Sequence, residues 1–172
     1  MSNVWAKTTL SAYPYLIKIA DAIDRVVERR AMNSFYVSGS DFSRNNVYDL
    51  ANQLLGLSDR KVVLINLKIL VENTLKKCDK FFAKLLIAKY ISRKKSAEIC
   101  ELLNVAQRTY FRKIKEAEKQ FEVCLRAQGY DQQKLLEFLG EEEWIMDIKE
   151  QYENSRKEEV ELTGVNLKKV AL

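Results

Sequence analysis

The stretch 104-NVAQRTYFRKIKEA-117 sets two kinds of residue at helical spacing. Tyr110, Ile114 and Ala117 recur at i, i+4 and i+7, so they share one side of a helix that can pack on a core. Gln107, Arg108, Phe111, Arg112 and Lys115 fall on its outward side, and packing has no use for them there. Just upstream, 96-SAEICELL-103 reads as a shorter amphipathic helix, with Asn104–Ala106 as the turn between the two. Ile99, Leu102 and Leu103 are expected to pack on Val105, Tyr110 and Ile114, so that the second helix crosses the first steeply and its N-terminal end projects. A helix presented in this way enters the major groove of DNA, where its first residues meet base edges.

The distribution of charge supports a polyanionic partner. The net charge is +5, but residues 1–75 hold nine Lys or Arg and seven Asp or Glu, residues 76–119 hold thirteen and five, and residues 120–172 hold seven and twelve. The positive field is therefore centred on the opening stretch.

Several classes of chemistry are absent from the sequence. There is no histidine, which removes the commonest general base and metal ligand. No phosphate-binding glycine loop or acidic metal loop occurs, and Cys78, Cys100 and Cys124 are widely spaced without a CxxC pair. The expectation is a protein that is not an enzyme, with no cofactor, no metal and buried free cysteines. No apolar run reaches the ~18 residues of a membrane span and the N-terminus has no secretory pattern, so a cytoplasmic location is expected.

Five Gly and one Pro in 172 residues predict an all-α fold with short connections. The expected plan is a helical N-terminal region over residues 1–77, a helix-turn-helix domain over 78–128, and C-terminal amphipathic helices with a tail over 129–172. Helix one is expected from about Pro14 to Ala31, followed by a loop at 33-NSFYVSGSDFSR-44. A short helix from Asn46 to Leu55 ends at Gly56, and Ser58 caps a long helix to about Lys77. That long helix is apolar on two sides, Val62, Ile65 and Ile69 on one and Leu64, Leu67, Val71 and Leu75 on the other, so either the N-terminal helices or a second subunit must cover it. Asp79 caps the helix 80-KFFAKLLIAKYI-91. A long helix from Gln107 ends before Gly129, and an amphipathic region from Gln132 to Glu161 breaks near Gly140, with a loose tail at 164-GVNLKKVAL-172.

The segment 96-SAEICELLNVAQRTYFRKIKEAEKQF-121 resembles the pattern S-x-E-I-A-x-x-L-G-I-S-x-x-T-V-x-x-x-L-x-x-A of the promoter-reading C-terminal helix-turn-helix in bacterial sigma factors, and is similar to the sigma-like regulators of phage late genes. Ser96, Glu98, Ile99, Leu103, Thr109 and Ala117 match, and Val105, Tyr110 and Ile114 match in kind. Cys100, Asn104 and Ala106 replace the family's alanine, turn glycine and capping serine. Segments for binding core polymerase and melting a promoter are not recognisable in residues 1–75.

What the resemblance implies is a sequence-specific regulator of transcription, bacterial or phage, whose partner is double-stranded DNA and whose further partner is RNA polymerase. Its base-reading positions fall on Gln107, Arg108, Phe111 and Arg112. Gln suits an adenine edge, Arg suits guanine O6 and N7, and an aromatic suits the thymine methyl. Arg93, Lys94, Lys95, Lys113 and Lys115 are the candidates for phosphate contacts. The alternative is a helical DNA-binding assembly protein, such as a phage packaging small subunit. One such module gives limited specificity unless paired, so a homo-oligomer, most simply a two-fold dimer, is expected.

Overall fold

The computed structural model describes the backbone of residues 3–36 and 44–170 and the side chains of residues 3–34 and 47–156. Its regular structure is all helical. The order is α1 (Val4–Tyr36), α2 (Arg44–Lys77), α3 (Lys80–Leu86) running into a π-helical turn (Ile87–Ile91), α4 (Ser96–Leu103), α5 (Gln107–Ala127), α6 (Gln132–Leu139) and α7 (Glu143–Val170). The chain divides into two compact units, Tyr13–Leu70 and the combination of Met1–Ala12 with Val71–Leu172.

In the unit Tyr13–Leu70, α1 and α2 pair as an antiparallel hairpin. Lys61 Nζ donates to both carboxylate oxygens of Asp24 at 2.7 Å, and Arg30 Nη1 donates to Gln53 Oε1 at 3.1 Å. Leu16, Ala20, Ile23, Leu64, Leu67 and Leu70 are its buried apolar residues.

Both long helices run further than their sequence punctuation predicts. Helix α1 begins at Val4 and takes Pro14 inside it. An interior proline costs about 3 kcal/mol, and the turns preceding it offset this by burial: Val4, Trp5, Ala6, Leu10 and Ala12 are all at most 6% exposed. The buried hydroxyls of Thr8 and Thr9 donate to the carbonyls of Val4 and Trp5. Helix α2 passes straight through Gly56, where no stop occurs, and Ser58 caps nothing because its hydroxyl donates back to the Leu54 carbonyl at 3.0 Å. A helix already committed on both sides accommodates one glycine for about 1 kcal/mol. The loop expected from Asn33 also starts later, since α1 continues to Tyr36; its remainder at 37–43 lies outside the described residues.

The other unit contains the opening stretch. Asp79 accepts from the backbone N–H of Phe81 and of Phe82 and starts α3. Leu85, Leu86, Ala88 and Tyr90 are buried below it. Helix α5 buries Tyr110, Ile114, Ala117, Phe121 and Leu125 along one side, the periodicity its sequence sets. Gly129 ends it with φ +85°, a backbone conformation that glycine adopts without strain. Gly140 follows α6, where an added Cβ would lie 2.6 Å from the Leu136 carbonyl oxygen, so a larger residue does not fit this bend. Helix α7 includes the segment expected as a loose tail as far as Val170.

The first turns of α1 belong to this unit as well. Lys149 Nζ lies 5.5 Å from the centre of the Trp5 ring, and the hydroxyls of Ser11 and Tyr152 are 2.7 Å apart. Trp5 is thus a core residue at 4% exposure.

Candidate nucleic-acid interface

Helix α4 stops because Asn104 takes a left-handed conformation, φ 51° and ψ 50°, and its N–H closes back on the carbonyl of Glu101. Asparagine tolerates that region better than most residues. After the three-residue turn Asn104–Ala106, α5 begins at Gln107 with Ala106 in the capping position, where it offers no side-chain acceptor to the N–H groups of the first turn. Those groups add partial positive charge to the end of the helix that carries Gln107 and Arg108.

Along α5 the residues Gln107, Arg108, Phe111, Arg112, Lys115 and Lys119 are all exposed. The Phe111 ring is 50% exposed yet braced, edge-on to the buried Tyr110 ring at a centroid distance of 5.1 Å. Arg112 makes only a long contact, Nε to Glu116 Oε1 at 3.9 Å, and stays open to solvent. Lys113 differs from its neighbours: it is half-buried, donates to Glu116 Oε2 at 2.7 Å and lies over the Phe82 ring. That hydrogen bond, helped by the charges of Lys113, Arg112 and Lys119, holds the Glu116 carboxyl below the ordinary carboxylate range.

A second basic group sits between the π-helical turn and α4. The Ser92 N–H closes on the Ile87 carbonyl and the Lys94 N–H on the Ala88 carbonyl, while Arg93 takes φ 52°. The tight turn leaves Arg93, Lys94 and Lys95 exposed. The backbone N–H of Lys95 donates to Glu98 Oε2 at 3.2 Å, half of a capping box, which fixes where α4 starts.

Two sequence expectations change here. Leu102, expected to hold α4 against α5, is 60% exposed, and the packing falls to the fully buried Ile99 instead. Leu102 lines a groove of about 360 Å³ with Ile87, Leu103, Lys84 and Lys94. Of the three cysteines only Cys78 is buried; Cys100 and Cys124 are partly so.

Sequence reasoning passed over Glu118. It lies on the buried side of α5, 1% exposed, and its carboxylate receives the Tyr90 hydroxyl at 2.6 Å, Lys89 Nζ at 2.8 Å and Asn3 Nδ2 at 2.7 Å. The signal was present: Glu118, like Glu122, falls at helical spacing on the side of α5 that carries Ile114, Ala117, Phe121 and Leu125. Lys89 is thereby engaged internally, apart from the exposed basic residues.

Among the described residues no group of three or more His, Cys, Asp or Glu is placed to hold a metal ion, and no helix is long and apolar enough to cross a membrane. No family model, no curated protein and no solved structure matches the chain.

Proposed function

We propose that the chain is a sequence-specific DNA-binding regulator of transcription, acting in the cytoplasm, in which α4, the Asn104–Ala106 turn and α5 work as a helix-turn-helix and α5 is the recognition helix. The observation that carries this reading is the outward face of α5. Arg108, Phe111, Arg112 and Lys115 stand exposed on a helix whose opposite side is fully committed to the core. Arginines and a braced aromatic ring are the groups that read guanine edges and thymine methyls, and the exposed Arg93–Lys95 turn supplies cations for the phosphate backbone. Lys113 joins the phosphate set by exchanging Glu116 for a phosphate. RNA polymerase is the further partner under the same reading.

Selection of bound duplexes from a random pool with the purified chain tests this directly. Enrichment of one motif containing guanines supports it. Recovery of DNA without any enriched motif favours an assembly protein that binds duplex irrespective of sequence, and no recovery at low salt removes DNA as the partner.

A further inference from the structure

The hairpin of α1 and α2 carries apolar surface that its own two helices leave open. Between Asp24 and Ser34, and between Val47 and Val63, no described side chain is buried, although Val26, Met32, Leu50, Leu55, Leu57 and Val62 lie in those segments. Two helices meeting along one line bury only the stripe between them, and a folded domain ordinarily covers the rest with another layer. On α2 the open surface is ordered. Tyr48, Leu55, Val62 and Ile69 follow one another at intervals of seven and are 70%, 62%, 54% and 47% exposed. A seven-residue recurrence keeps side chains in one row along a helix and is the spacing of a coiled-coil seam.

We propose that this row is a self-association surface on which α2 of a second copy of the chain docks antiparallel about a two-fold axis. The companion seam positions, three residues further on, are Ala51, Ser58 and Ile65. Antiparallel pairing sets Leu55 against Ser58 of the second copy, Val62 against its Ala51 and Tyr48 against its Ile65. Large side chains thus meet small ones at the middle of the seam, and the two-fold axis repeats every match, as an isologous interface requires. The row spans about 32 Å at the helical rise per residue. Its four large side chains expose roughly 100 Å² each, and the flanking positions bring the area to roughly 500–600 Å² per copy, so the pair buries about 1,000–1,200 Å², the lower bound of a specific interface. The pairing is therefore reversible and concentration-dependent. It does not rest on the DNA-binding reading.

Sedimentation of the full chain without DNA, from low micromolar to near-millimolar concentration, tests the proposal. A monomer–dimer equilibrium is expected, and Leu55→Glu or Val62→Glu should raise the dissociation constant at least about tenfold, because each forces an unpaired charge into the seam. Val123→Glu, on an exposed position of α5 in the other unit, should leave it unchanged. Far-UV circular dichroism checks that the variants stay helical, and the milder double change Leu55→Ala with Val62→Ala must weaken pairing if the glutamates unfold the hairpin. A monomer at every concentration overturns the proposal, and so does a dimer indifferent to substitutions in the row.

Discussion

The Tyr90 hydroxyl donates a 2.6 Å hydrogen bond to Glu118 Oε1, joining the π-helical turn to the buried side of α5. Asn3 reaches the other carboxylate oxygen and Lys7 Nζ stands 3.8 Å from it, so one buried charge ties the start of α1, the turn before α4 and the helix that carries the candidate interface. A carboxylate in that position is tolerated only while such partners satisfy it. Glu118→Ala should destabilise the chain by about 2–4 kcal/mol and Glu118→Gln by about half of that, with the lysine partners partly solvated and so partly able to recover. Urea unfolding measures it; an unchanged midpoint for Glu118→Ala would remove the carboxylate from the account of stability.

The same packing gives the chain an alkaline limit. Burial, and then the charge and hydrogen bond of Glu118, push the Tyr90 phenol well above its ordinary value of 10, and burial with Cys124 pushes the Cys78 thiol from 9.0 up to about 12. Each group holds its proton more tightly folded than unfolded, so its contribution is complete below the unfolded pKa and is lost as pH rises past it. Stability should be flat to about pH 9, fall as Cys78 enters, and steepen above pH 10 by about 1.4 kcal/mol per pH unit for Tyr90. Tyr90→Phe should remove that last increment of slope. Equilibrium unfolding that stays constant up to pH 11 would contradict the assignment.

The features the sequence made legible are those set by local chemistry. Asp79 caps, Asn104 turns left-handed and Gly129 stops a helix because each acts on its own neighbouring backbone groups. Pro14 misled because the burial of the turns before it outweighs the cost of an interior proline, and Gly56 and Ser58 misled because one glycine inside a helix costs only about 1 kcal/mol and the Ser58 hydroxyl bonds back to the preceding turn. The outward face of α5 was legible from periodicity alone, since a helix packed on one side must expose the other. Glu118 was legible only as a charged residue on the packed side of α5; its partners Asn3 and Tyr90, 115 and 28 residues away in sequence, were not.

The turn between α4 and α5 offers two opposite stability changes. Asn104→Ala should cost about 1 kcal/mol by placing a β-carbon residue at positive φ, whereas Ala106→Ser should stabilise by about 0.5–2 kcal/mol by giving α5 the cap it lacks. Thermal unfolding of both variants checks the pair. A serine variant no more stable than the parent would mean that the first N–H groups of α5 already have partners.

Affinity for duplex DNA should fall steeply with salt, since each phosphate neutralised contributes about −0.9 to the slope of log affinity against log salt concentration. Lys94→Ala and Lys115→Ala should each make that slope shallower by about one such increment, on any sequence. Lys89→Ala, with its amine held by Glu118, should leave the slope alone while lowering stability. Titrations followed by fluorescence anisotropy at several salt concentrations separate the two effects; equal slope changes for all three lysines would contradict the division between exposed and internal charges.

The central claim is that the outward face of α5 reads bases, and the most direct measurement compares Arg108→Ala and Arg112→Ala on the selected duplex and on random duplex at one salt concentration. Loss of a bidentate contact to guanine should weaken binding to the selected sequence by about 1–3 kcal/mol and relax preference at one position for each arginine. On random duplex the loss should be only that of one charge. Equal losses on both duplexes, with no change in base preference, would contradict base reading by α5.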